Sequence, residues 1–216
     1  MKKILLVIMV MVASNLFSAT GWYEDYLIVK VNNVLVNTSG YMWIGGNPSY
    51  GTEFNGYNLG GAVNSILLGC DMKYWSDTQD RTGGAFYYKV MSSDNLTQII
   101  APVEVIWSHS SIGGNNYLGT KDVVIQVIDN SKLQPNTTYK LHVWAKSWGT
   151  GQGDNWLSNS SNNYVATFTT DGSVPVELSS FTAAIQNKAV VLNWVTATEI
   201  NNYGFEVEKS FDKVNW

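Results

Sequence analysis

The sequence predicts an all-β chain in which one long β-sandwich is followed by part of a second β-sandwich module. Three observations carry this expectation. Apolar residues alternate with polar ones in one strand-length stretch after another, and no long helical pattern competes. The composition combines 13% aromatic residues with only 14% charged ones, and its 45% hydrophobic content is enough to build a core. Nineteen glycines, with many Asn and Ser, supply the turns that such a fold needs.

Taken in order, the first element is not structural. "MKKILLVIMVMVASNLFSATGW" places Lys2 and Lys3 before an apolar run from Ile4 to Val12, then small residues ending near Ala19. This is the three-part pattern of a secretory signal peptide over residues 1–19, and its apolar run is well short of the roughly 20 residues that span a bilayer. The expected location is therefore extracellular or the outer cell surface, with no membrane span after cleavage. Loss of the two lysines makes the chain more acidic than its formal −4. Arg81 is the only arginine and no basic cluster exists, so nucleic acid is excluded as a partner class. The single cysteine, Cys70, cannot form an intramolecular disulfide and reads as a small buried apolar residue beside "SILLG".

The sandwich is expected over residues 20–171. "DYLIVKV" sets Leu27, Val29 and Val31 on one face, and "SGYMWIGG" alternates Tyr41 and Trp43 against Met42 and Ile44. In "GGAFYYKVM" Phe86, Tyr88 and Val90 oppose Tyr87 and Lys89. "TQIIAPVEVIWSH" aligns Ile99, Ala101, Val103, Val105 and Trp107, with Pro102 marking an edge or a bulge. "KDVVIQVID", "TYKLHVWAK" and "NYVATFTT" complete the set. Surplus length is expected in loops at 45–61, 76–84 and 149–163.

"LQPNTTYKLHVWA" places Leu133, Pro135, Thr137 and Tyr139 at alternate positions ahead of a strand. This resembles the tyrosine corner of fibronectin type III and related immunoglobulin-like domains, in which a Tyr hydroxyl turns back onto the upstream backbone. The resemblance implies an immunoglobulin/fibronectin III-like sandwich, with Tyr139 as the corner, Leu133 plugging the core and Pro135 stiffening the turn. It implies a fold and no activity.

Residues 172–176 read as a linker, and 177–216 as the N-terminal part of a further module. "VPVELSSF", Leu192, Trp194, "TATE" and "NNYGFEVEKS" resemble a fibronectin-like module near the C-terminus of large exported proteins of gliding and related Gram-negative bacteria. The resemblance implies the type IX secretion class, whose members commonly continue into a sorting domain. Three strands fall short of the seven or so of a sandwich, so the module is expected to be incomplete, with downstream domains in the same chain and with Trp194 and Phe205 more exposed than core rings.

No catalytic residue, metal ligand or cofactor is assigned. The two histidines, His109 and His142, cannot build a His-rich metal site, and no strained nucleophile turn of the G-x-S-x-G kind occurs. Glu104, Asp122, Asp77 and Asp80 match a carboxylate pair in type alone. Asp77 and Asp80, in "YWSDTQDRTGG", lack the spacing of a calcium loop, which leaves a calcium ion in the 76–84 turn an open question. Tyr74, Trp75, Trp148 and Trp156 are placed at loops, where rings could stack on the apolar faces of sugars while neighbouring Asn, Gln and Asp take up hydroxyls. Three functions stay open: a structural, adhesive or spacer portion of a longer exported protein; a module binding polysaccharide or cell-surface glycan; and an accessory piece of a secreted hydrolase whose catalytic part is absent.

Overall fold

In the computed structural model, residues 19–38, 40–45, 53–129, 131–151, 153–172, 177–187, 189–198 and 204–211 are described. The expected signal peptide lies outside them except for Ala19, as does the expected linker except for Gly172. Among the described residues every regular element is a β-strand, and no helix is long and apolar enough to cross a membrane.

Two antiparallel sheets face each other across one core. The first joins β1 (Thr20–Val31), β4 (Ile66–Ser76), β8 (Asn116–Gln126) and β7 (Ser108–Gly113), with short β2 (Val34–Leu35) and β3 (Tyr41–Gly45) on the free edge of β1. The second joins β9 (Thr138–Gly149), β5 (Arg81–Ser92) and β6 (Gln98–Ile106), with β10 (Asn155–Leu157) and β11 (Tyr164–Thr169) sharing the other edge of β9. The orders β1-β4-β8-β7 and β11-β9-β5-β6 are the A-B-E-D and G-F-C-C′ orders of an immunoglobulin-like sandwich.

Period-two patterning produces the core directly. Leu27 and Val29 of β1, Leu68, Cys70, Met72 and Tyr74 of β4, Phe86 and Val90 of β5, Leu141, Val143 and Ala145 of β9, and Ala166 and Phe168 of β11 all point inward and are buried. Burial pushes the Cys70 thiol up, as suits an inert core residue. β6 departs from strict alternation. Val103 lies opposite Tyr88 but Ile100 opposite Val90, so an extra residue bulges out beside Pro102. Ile100 therefore turns inward while Ala101 is exposed, the reverse of the face expected before Pro102.

A single residue, Trp107, separates β6 from β7, and there the chain changes sheets. Its indole is clamped between a glycine of each sheet. A Cβ on Gly84 would lie 2.0 Å from Trp107 Cζ2, and one on Gly119 would lie 2.5 Å from Nε1. The indole thus occupies the space a side chain would need at either position.

The corner before β9 has the expected geometry. The Gln134 N–H donates to the Tyr139 hydroxyl at 2.8 Å, and Thr170 Oγ1 donates to the Gln134 carbonyl at 2.6 Å. Leu133 is buried, and Thr137 Oγ1 donates to the carbonyl of half-buried Pro135 at 2.9 Å.

Beyond the sandwich, β12 (Glu177–Gln186) and β13 (Ala189–Thr198) form an antiparallel hairpin. Phe181 pairs with Trp194, which meets Phe205 at 5.4 Å between ring centroids. Phe205 is 40% exposed, Phe181 61%, and Trp194 is half-buried. "NNY" and the end of "TATE" lie outside the described residues.

Candidate functional site

The four rings expected at loops separate in the fold. Tyr74 is not at a loop: it points inward from β4, is fully buried, and its hydroxyl lies 2.6 Å from His109 Nδ1. Burial pushes that hydroxyl up to about 12, so Tyr74 is a core ring and leaves the candidate set. Trp75 also belongs to β4 and lies over Gly21, where a Cβ would come within 2.4 Å of Nε1. Trp148 lies over Gly83 in the same manner, half-buried, with the Lys146 ammonium 5.4 Å from its ring. Of the four, Trp156 alone stays open to solvent, at 50% exposure.

Trp156 belongs to a cluster on the outward face of the second sheet. Alternation along β9 sends Trp144, Lys146 and Trp148 outward, and alternation along β5 sends Ala85 and Tyr87 outward. Register then places Tyr87 opposite both Trp144 and Glu104, and Trp156 opposite Lys146. Tyr87 and Trp144 stack, with centroids 5.5 Å apart and planes 7° from parallel, while Tyr87 meets Trp156 at 6.1 Å. The Tyr87 hydroxyl donates to Glu104; burial first, and the carboxylate second, push its pKa up. Lys146 sits 5.1 Å from the Trp156 ring and pairs with Asp154 at 3.2 Å.

Trp144, Trp156, Ser158, Ser161 and Asn163 line a cleft of about 400 Å³. Its outer wall is the turn between β10 and β11, whose ends are anchored by buried Leu157 and Tyr164. Within that turn Asn159, Ser160, Ser161 and Asn163 all adopt left-handed φ values, between 44° and 72°. Asn tolerates this region; two consecutive serines there carry a conformational cost. Backbone bonds from Asn163 N to Ser158 O (2.9 Å) and from Asn162 N to Asn159 O (3.1 Å) hold the shape, with Asn159 Nδ2 donating to Asn163 O at 3.0 Å. The side chains of Ser158, Ser161 and Asn163 make no hydrogen bond among the described residues.

Tyr87 and Trp144 escape loop-based reasoning because they sit mid-strand. The signal available was their phase: both occupy outward positions where alternation expects polar side chains.

The carboxylates do not assemble a catalytic pair. Asp80 is consumed by Arg81, its Oδ1 3.2 Å from Nε and its Oδ2 3.3 Å from Nη2, and it also accepts from Ser76 Oγ at 2.8 Å and the Gly151 N–H at 2.9 Å. Asp77 accepts from the Ala19 N–H at 2.8 Å. Glu104 and exposed Asp122 lie on different sheets. Among the described residues no group of three His, Cys, Asp or Glu side chains could hold a metal ion. His142 is buried on β9 with Nε2 3.0 Å from Asn95 Oδ1; burial first, then Lys89 and Lys140, lower its pKa to about 4.

The fold and its tyrosine corner define the class as an immunoglobulin-like β-sandwich. Comparison with known protein families, curated proteins and solved structures finds no match.

Proposed function

We propose that this chain is an exported, non-catalytic β-sandwich that serves as an adhesive portion of a cell-surface or secreted protein and binds polysaccharide through the outer face of its second sheet. The observation that carries the reading is the outward cluster of Tyr87, Trp144 and Trp156, large rings held at the surface of a rigid sheet. Rings of this kind stack on sugar C–H faces, and the fixed strands remove most of the ordering cost of binding. The leader-like N-terminus supports export, and the word order of the C-terminal segment supports the type IX route.

The test is affinity electrophoresis and pull-down of the purified protein against a panel of soluble and insoluble polysaccharides. Retardation by at least one of them is expected; none across the panel would overturn the binding reading. A purely structural or spacer role is the second reading, favoured by the β12–β13 hairpin, whose exposed Phe181 and Ile185 suit contact with a further module.

A further inference from the structure

We propose that the cleft between Trp144 and Trp156 receives a single sugar ring of an uncharged glycan, with Ser158, Ser161 and Asn163 supplying the polar contacts. This rests on the polysaccharide-binding reading and places its ligand. The cleft has an aromatic wall on β9, a second on β10, and a polar wall formed by the turn into β11. Tyr87 touches both indoles from the β5 side, fixing the orientation of each.

A pyranose matches these surfaces: its axial C–H groups face the indoles while its hydroxyls point sideways, both donating and accepting. Two serine hydroxyls and one amide offer both functions, and none of the three side chains makes a hydrogen bond among the described residues. Solvent-facing polar groups converging between rings are the pattern of a small-ligand site.

The side chains that line the cleft are all uncharged, which suits an uncharged sugar. Lys146, the cation over Trp156, is held near the Trp148 and Trp156 rings and neutralised by Asp154. Glu104, bonded to Tyr87, contributes a negative charge to the same face, and the chain as a whole is acidic. A uronic acid would meet no cation in the lining itself, since Lys89 and Lys140 lie further along the same face beside His142. The left-handed turn adds an independent argument: strain of this kind persists where the surroundings impose it, and it clusters at ligand sites. Here it turns Ser161 and Asn163 toward the indoles rather than away from them.

The experiment uses the whole mature chain with oligosaccharides of glucose, mannose and galactose as neutral probes, and alginate and polygalacturonate oligosaccharides as acidic ones. Binding of a neutral probe is expected, changing by less than about twofold between about 50 and about 500 mM salt. Trp156→Ala is expected to weaken it about tenfold or more, and Trp156→Phe by less, since Phe keeps a stacking face. Trp144→Ala is expected to weaken it by a similar factor, and Ser158→Trp, which fills the cleft while leaving both indoles in place, is expected to abolish binding and covers the case in which Trp144→Ala fails to fold. Val124→Ser, at an exposed position on β8 of the other sheet, should leave affinity unchanged.

Neutral binding that survives both Trp156→Ala and Ser158→Trp would overturn the cleft while leaving the polysaccharide reading intact. Binding confined to acidic probes with a steep salt dependence would overturn the uncharged ligand. Absence of binding to every probe would remove both proposals together.

Discussion

Asp25 offers the sharpest test of the core. It points inward from β1 in phase with Leu27, has no exposed surface, and neither carboxyl oxygen has a partner at good hydrogen-bond geometry, the Lys73 N–H being its one nearby donor among the described residues. Burial, with a smaller contribution from the neighbouring Glu24 charge, pushes its pKa well above the carboxylate range; the nearby Lys73 N–H offsets only part of this. The unfolded chain ionises this group near pH 3.9, the folded chain at a higher pH, so between the two the native state binds more protons. The group's contribution is thus fully present below about pH 4 and is lost as pH rises through the folded value. Leaving a buried polar group unsatisfied costs about 1–3 kcal/mol, more when charged. Asp25→Asn keeps the shape and removes the ionisation, so a gain of at least about 1 kcal/mol is expected at pH 7.5. That corresponds to about 2–4 °C in Tm per kcal/mol for a domain of this size. Urea and thermal unfolding followed by circular dichroism from pH 4 to 8.5 would measure it. The lowered pKa of His142 works in the opposite direction, its stability contribution being lost as pH falls toward about 4, so the quantity to follow is the difference between variant and wild type. A variant less stable than wild type at pH 7.5, or a difference independent of pH, would refute the reasoning.

Arg81→Ala should cost about 3–5 kcal/mol in urea unfolding, because it strips the guanidinium from Asp80 inside the β4–β5 turn. Arg81→Lys should recover only part of this, since an ammonium cannot reproduce the two-point contact. Tyr139→Phe deletes the acceptor of the Gln134 N–H and should cost about 1–3 kcal/mol, with glycan binding unchanged because the corner lies away from the cleft. Gly84→Ala should be at least as harmful, about 1–3 kcal/mol or more: its Cβ would fall 2.0 Å from the Trp107 indole and 2.7 Å from the Lys146 carbonyl, and only one of these neighbours is a side chain able to move.

Much of the sandwich was legible because burial on one face of a sheet imprints period two. Leu27 and Val29, Met42 and Ile44, Phe86, Tyr88 and Val90 all keep the face their alternation predicts. Tyr139 was legible because a single hydroxyl-to-backbone bond demands one residue at one offset. β4 was harder to see as a strand: Ile66, Leu68, Cys70, Met72 and Tyr74 do alternate, but Gly69 and the polar tail after Trp75 resemble a loop. Gly69 has a packing reason, because a Cβ there would lie 2.6 Å from the Lys121 carbonyl of β8. The bulge at Pro102 was anticipated, but the inversion of face it causes follows only from the register with β5.

The cleft was beyond reach for a different reason. Its members come from β5, β9, β10 and the turn into β11, and nothing local to any one of them records the others. Alternation announces that Tyr87 and Trp144 face outward; it does not announce that they face each other, because cross-strand partners are set by register between strands more than fifty residues apart. Placing rings at loops favoured Trp75 and Trp148, yet glycines opposite them, Gly21 and Gly83, let those indoles lie down against the sheet. Where the cross-strand neighbour is a residue with bulk, as Tyr87 is to Trp144, the ring stands and its outer face is left for a ligand. The pairing of a tryptophan with glycine or with another ring therefore decides whether it covers the sheet or projects from it.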